Sequence, residues 1–117
     1  MGRREKVAEV LKRQISNIIQ NELSDWRLGF ITITRVNLSK DLKFAQIYFS
    51  ILSGEEGKRK AIEGLNNAKS FIKRRLSEEL NLRFTPQISF RLDPSIEYSI
   101  ELQRELDKIR DGSKKSN

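Results

Sequence analysis

Val7, Leu11, Ile15, Ile18 and Ile19 recur at three- and four-residue steps, the spacing that puts apolar side chains on one side of a helix. A helix is therefore predicted over residues 4–23. Asp25, Trp26 and Gly29 interrupt this period, and Phe30 to Val36 follows as a run rich in β-branched residues, predicting a strand. Ser39-Lys40-Asp41 predicts a turn. Beyond it the pattern alternates, with Ala45, Ile47, Phe49 and Ile51 on one face and Phe44, Gln46, Tyr48 and Ser50 on the other. Two strands joined by so short a polar turn should pair as an antiparallel hairpin, one face covered and one wetter.

Gly54 to Gly57 leads into a second helical period, carried by Ala61, Ile62, Leu65, Ala68, Ile72, Leu76 and Leu80. The spacing allows one long helix over 58–80. Gly64, Asn66 and Asn67 are poor in helix interiors, however, and predict a division into two helices near Asn67 and Ala68. Gln87 to Leu92 predicts a third strand, with Ile88, Phe90 and Leu92 on one face and Pro86 at its start, where a missing donor costs least. Asp93-Pro94 then opens a final helix. In that helix an acidic edge, Glu97, Glu101 and Glu105, runs beside an apolar one, Leu102, Leu106 and Ile109. The expected order is helix, strand, strand, helix, helix, strand, helix. Its natural packing is an α+β layer with helices on one face of a three-stranded sheet. Residues 1–110 are expected as a single domain and 111–117 as a disordered tail.

Composition narrows what such a domain can do. Among 117 residues, 23 Lys and Arg face 16 Asp and Glu, a formal net charge of +7. That excess points to a polyanionic partner, nucleic acid before membrane. With no Cys and no His, thiolate metal sites, Cys nucleophiles and imidazole acid–base chemistry are excluded. Asp25 and Asp41 are the loop acids a metal-dependent nuclease would need clustered, but each suits an ordinary turn or ion pair better. Neither catalysis nor a cofactor is expected. No secretory signal and no membrane-length apolar run is seen, so a cytoplasmic protein is expected. No large exposed apolar stripe calls for a dimer, so a monomer is expected too.

The densest charge lies at residues 58–75. There Lys58, Arg59, Lys60, Lys69, Lys73, Arg74 and Arg75 meet the single acid Glu63, a local net of +6. If these side chains converge they form a phosphate footprint, helped by Arg3, Arg4 and Lys6 at the first helix. At the predicted division, Asn66, Ser70, Lys73 and Ser77 share a face opposite Ala68, Ile72 and Leu76. A helix beginning near Ala68 would aim free amide donors at a phosphate. Asn66, Asn67, Ala68, Lys69 and Ser70 thus join the cations as candidate RNA-binding residues. Trp26 could stack on a base or wedge the first helix. The competing reading is a protein-interaction module that uses the acidic edge of the last helix and ignores RNA.

Several motifs, in order along the chain, resemble the ribosome-binding factor A family of bacterial small-subunit assembly factors. They are Asp25-Trp26-Arg27-Leu28-Gly29-Phe30 with Ile31 to Thr34, Ser39-Lys40-Asp41-Leu42, and Gly64 to Ala68 with Phe71, Ile72 and Arg74. Leu82 to Pro86 and Asp93 with Ser95, Ile96 and Glu97 complete the set. Trp26 stands where the family commonly has Pro, and Ser70 where a Gly often follows. The resemblance implies a type II KH-like fold with a kinked helix pair in place of the usual Gly-x-x-Gly loop. It also implies binding to the immature small ribosomal subunit and its rRNA, a part in rRNA processing at the 5′ end, growth at low temperature, and no enzymatic activity.

Overall fold

A computed structural model of the chain describes residues 2–23, 28, 31–81 and 84–115, leaving aside the side chains of 95–100 and 111–115. Its order is α1 (Arg3–Asn21), β1 (Ile31–Leu38), β2 (Phe44–Ile51), α2 (Glu55–Glu79), β3 (Gln87–Leu92) and α3 (Pro94–Lys115). The α+β class holds, and so does the hairpin: β1 pairs antiparallel with β2, from Ile31 opposite Ile51 to Leu38 opposite Ala45. The central strand is β2, since β3 joins its other edge in parallel, Phe44 opposite Gln87 through Phe49 opposite Leu92. The register of β1 shifts between Ile33 and Arg35, a bulge that adds one residue against its partner strand.

The hairpin loop is built by its own side chains. Ser39 Oγ donates to Asp41 Oδ1 at 2.7 Å, and the Lys43 amide donates to the same oxygen at 3.1 Å. The Phe44 amide in turn donates to Ser39 Oγ at 3.0 Å. Hydrogen bonds from Ser39 and Lys43 hold the Asp41 carboxyl below its ordinary pKa, because both favour the ionised acceptor. Leu42 takes φ 62, the left-handed region, while its side chain packs against the core.

One cluster forms the core between the sheet and two helices. Leu11, Ile15, Ile18 and Ile19 of α1 and Ala61, Leu65, Ile72 and Leu76 of α2 meet Ile31, Ile33, Leu38, Ala45, Ile47, Phe49, Ile88 and Phe90. Alternation along β2 separates the faces as expected: Ala45, Ile47 and Phe49 are buried, whereas Phe44 is exposed and Gln46, Tyr48 and Ser50 are half-covered. Asp93, between β3 and α3, is only 4% exposed. It accepts from Thr34 Oγ1 at 2.6 Å, lies 3.8 Å from Arg35 Nε, and its own amide donates to the Phe49 carbonyl.

Two expectations need correction. The division near Asn67 and Ala68 is absent, since α2 is a single helix of 25 residues. Buried Ala61, Gly64, Leu65, Ile72 and Leu76 lie on both sides of the proposed break and on one stripe, so a continuous rod is what covers the sheet. Helical stability in a protein comes mostly from such a packed face, and it outweighs the small penalty of Asn66 and Asn67, which are exposed. The helix also starts at Glu55, where two first-turn acids suit the positive end of its dipole. At the other end of the chain, α3 continues to Lys115 and takes in residues 111–115 of the expected tail. Leu102, Leu106 and Ile109 of α3 are exposed, so an apolar stripe does face outward there.

Candidate nucleic-acid interface

The cations expected to converge are distributed along α2, and they differ in what they face. From Lys58 to Arg75 the helix rises about 26 Å. At its start, Lys58 lies 3.4 Å from Glu55, Arg59 3.9 Å and Lys60 3.5 Å from Glu56. These acids stand just before the all-basic stretch, so a charge count begun at residue 58 overlooks them. They are exposed or part-exposed pairs, weak in water and readily exchanged for a phosphate.

Arg75 faces the other way. Its Nε donates to Glu22 Oε1, its Nη1 to Glu78 Oε2 and its Nη2 to Glu79 Oε1, each at 2.7 Å. The hydrogen bond to Glu22, then that to Glu78, raises the guanidinium pKa further above its ordinary value. With three of its five N–H donors held by carboxylates, the fork has its charge already balanced within the protein and is a poor ligand for a phosphate. Arg75 is therefore a clasp between the C-terminal ends of α1 and α2, and we remove it from the candidate ligands.

Lys69, Lys73 and Arg74 remain. None of them is ion-paired among the described residues, where salt bridges involve other cations. Lys69 and Lys73 are one turn apart, beside exposed Asn66 and Ser70. Arg74 is exposed further round, with its guanidinium carbon 5.5 Å from the Phe71 ring centroid. Ala68 is half-buried against the core, so packing explains its small size. Because α2 is uninterrupted, the amides of 68–70 belong to a helix interior and donate to carbonyls one turn back; they are not free for an anion. Asn67 is exposed on the side away from Lys73. Arg3, Arg4 and Lys6 are exposed at the start of α1, where Arg4 lies 3.9 Å from Glu5.

Asp25 and Trp26 lie outside the described residues. No group of three potential ligand residues able to hold a metal ion occurs among the described ones, nor does any helix there have the length and apolarity to cross a membrane. Sequence reasoning missed one constellation. On the open side of the sheet Arg35 lies over the Tyr48 ring, 3.9 Å from its centroid, while Phe44 stands exposed on the same strand face. The available signal was the pair of aromatic residues on the face that alternation assigns to solvent.

The family model described as ribosome-binding factor A matches residues 3–106. A curated relative of that name from Acetivibrio thermocellus is 47% identical, covering 97% of this chain and 96% of its own. One from Moorella thermoacetica is 44% identical over 95% and 93%. Among solved structures, the crystal structure of ribosome-binding factor A from Thermus thermophilus superposes with a TM-score of 0.69 at 29% identity, covering 79% of this chain and 97% of that one. A homology model of the Thermus thermophilus protein, fitted into a cryo-EM map of its complex with 30S, gives a TM-score of 0.64 at 30% identity, covering 75% and 92%.

Proposed function

Since the chain belongs to the ribosome-binding factor A family, a family of non-enzymatic ribosome-binding factors, we propose that it binds the immature small ribosomal subunit through rRNA. It acts in the cytoplasm as a single chain, without a cofactor. By holding one conformation of a precursor helix it assists rRNA processing at the 5′ end, a task that matters most at low temperature. Work of this kind needs only a difference in affinity between two RNA conformations.

The observation that carries the reading is the unpaired cation set Lys69, Lys73 and Arg74 on the outward side of α2, flanked by the hydrogen-bonding side chains of Asn66 and Ser70. Lys58, Arg59 and Lys60 extend it once their carboxylate partners are displaced, and Arg3, Arg4 and Lys6 supply charge from α1. The neighbour fitted into a 30S complex supports the choice of partner. Co-sedimentation with small subunits tests it. If three phosphates are neutralised, affinity falls about twenty- to fortyfold between 50 and 200 mM salt. Lys69→Glu with Lys73→Glu should weaken association by more than about tenfold and flatten that salt dependence. Association unchanged in the double variant would overturn the reading.

A protein-docking role for the last helix draws on a separate observation, the exposed Leu102, Leu106 and Ile109 of α3. Leu102→Glu with Leu106→Glu separates the two. Subunit association persists if RNA contacts carry it and is lost if α3 does.

A further inference from the structure

The open face of the sheet is a grid three strands wide. Arg35, Tyr48 and Arg91 form one row, and Asn37, Gln46 and Ser89 the next. In the last row Phe44 stands opposite Gln87, next to Ser39, whose amide donates to the Phe44 carbonyl at 2.8 Å. Around the lower two rows runs a concavity of about 340 Å³ lined by Asn37, Ser39, Phe44, Gln46, Gln87 and Ser89.

Three features set this face apart from a merely solvated one. Phe44 is 58% exposed, although the buried alternative was one residue away in a strand that alternates cleanly. Three carboxamides, those of Asn37, Gln46 and Gln87, line the concavity together with the ring, and the Tyr48 hydroxyl donates to Gln46 Oε1 at 2.7 Å, a bond that leaves the Gln46 amide donors unused. No carboxylate lies among the outward residues of the three strands. Of the acids beside this face among the described residues, Asp93 is buried and ion-paired with Arg35 and Asp41 is engaged by Ser39 in the hairpin loop, while Arg91 is exposed with no ion pair among the described residues.

We propose that this open face is a second RNA contact, which takes unstacked nucleotides of single-stranded RNA. Phe44 is the stacking platform, since every base has a π-face and an exposed ring on a rigid strand is already oriented. Asn37, Gln46 and Gln87 each present a donor and an acceptor to base edges. Arg91 holds the backbone phosphate, and the Arg35 guanidinium, placed over Tyr48 and paired with Asp93, offers a second surface on which a neighbouring base can stack. One exposed ring amid amides and arginines suits a stacked base with its polar edge and phosphate. The inference rests on the rRNA reading above and deepens it. Duplex or structured RNA meets α2 through its phosphates, and an adjacent unpaired segment meets the sheet.

The test is fluorescence-anisotropy titration of the full-length protein with a labelled nonanucleotide RNA of mixed sequence, in parallel with small-subunit co-sedimentation. Phe44→Ala should weaken oligonucleotide binding about tenfold, within the range for removal of one base-stacking ring, and Arg91→Glu should weaken it and reduce its salt dependence. Gln46→Ala guards against a Phe44 variant that fails to fold, and should lower affinity without changing the salt dependence. If Phe44→Ala, Gln46→Ala and Arg91→Glu all bind the oligonucleotide normally while Lys69→Glu with Lys73→Glu does not, the sheet proposal is overturned and the helix reading survives. If the wild-type protein binds subunits but no oligonucleotide, and Phe44→Ala weakens subunit binding, the face contacts protein and the proposal is again overturned. Failure of the wild-type chain to bind either RNA or subunits would overturn both readings together.

Discussion

Arg75 and Glu22 meet at 2.7 Å, Nε to Oε1, across 53 positions of chain. The contact joins α2, about one turn before its end, to the residue that closes α1, and Glu78 and Glu79 complete the fork. A cation that resembles its neighbours Lys73 and Arg74 in sequence is thus a structural clasp, while they remain available to a ligand.

Arg75→Gln should accordingly lower the melting temperature and leave small-subunit affinity within about twofold of wild type. Thermal melts read beside co-sedimentation check both halves. A loss of affinity as large as that of the Lys69 and Lys73 variant would return Arg75 to the interface.

The continuity of α2 has an energetic signature. Asn66 and Asn67 are exposed within a helix, where Ala is favoured over Asn by roughly 0.5 kcal/mol per position. The double replacement Asn66→Ala with Asn67→Ala should therefore stabilise the protein by about 1 kcal/mol in urea denaturation. If the chain instead turned at these residues, the same change would destabilise it.

Ile72 is fully buried on the stripe that spans the expected break. Ile72→Ala should cost about 2–5 kcal/mol, the sum of lost transfer energy and the cavity left behind. Chemical denaturation measures it, and a cost below about 1 kcal/mol would mean that α2 does not rest on the sheet there.

Asp93 is buried with an accepted hydrogen bond from Thr34 and an ion pair to Arg35. Asp93→Ala should destabilise the fold by about 1–3 kcal/mol through the donor left unsatisfied. It should also free Arg35 from its place over Tyr48, which tyrosine fluorescence would register.

Asp41 gives the hairpin a pH dependence. Its folded pKa is lowered by hydrogen bonds from Ser39 and Lys43. The stability it lends is thus full above the ordinary carboxylate value of 3.8 and is lost as pH falls through the lower folded value. Melts of wild type and Asp41→Asn should differ at pH 6, and that difference should shrink steadily below pH 4. A difference that grew on acidification would contradict the sign.

Periodicity, with the β-branched run of β1 and the Asp93-Pro94 start of α3, located the regular elements among the described residues. The stripes of α1 and α2 and the alternation of β2 were legible because an element bordering one core must repeat its apolar residues with its own geometric period. The charge excess was equally legible, being a sum over residues that needs no coordinates. The break in α2 was misjudged for the opposite reason. Gly64, Asn66 and Asn67 carry weak local preferences against helix, and only the sheet beneath Ala61, Leu65, Ile72 and Leu76 decides that a straight rod is more stable than a bend.

Which cations are available was likewise hidden. Glu22 is remote in sequence from Arg75, and the pairing of Glu55 and Glu56 with Lys58, Arg59 and Lys60 depends on where the helix begins. The sequence by itself determined the inventory: helices and strands in order, a basic surface, and a chemistry without thiols or imidazoles. Tertiary structure decided the assignment of each charge, because an ion pair depends on distance in space, and distance between residues far apart in the chain exists only after the core has closed. The row Arg35, Tyr48 and Arg91 makes the same point, since three residues from three strands become neighbours only through the register of the sheet.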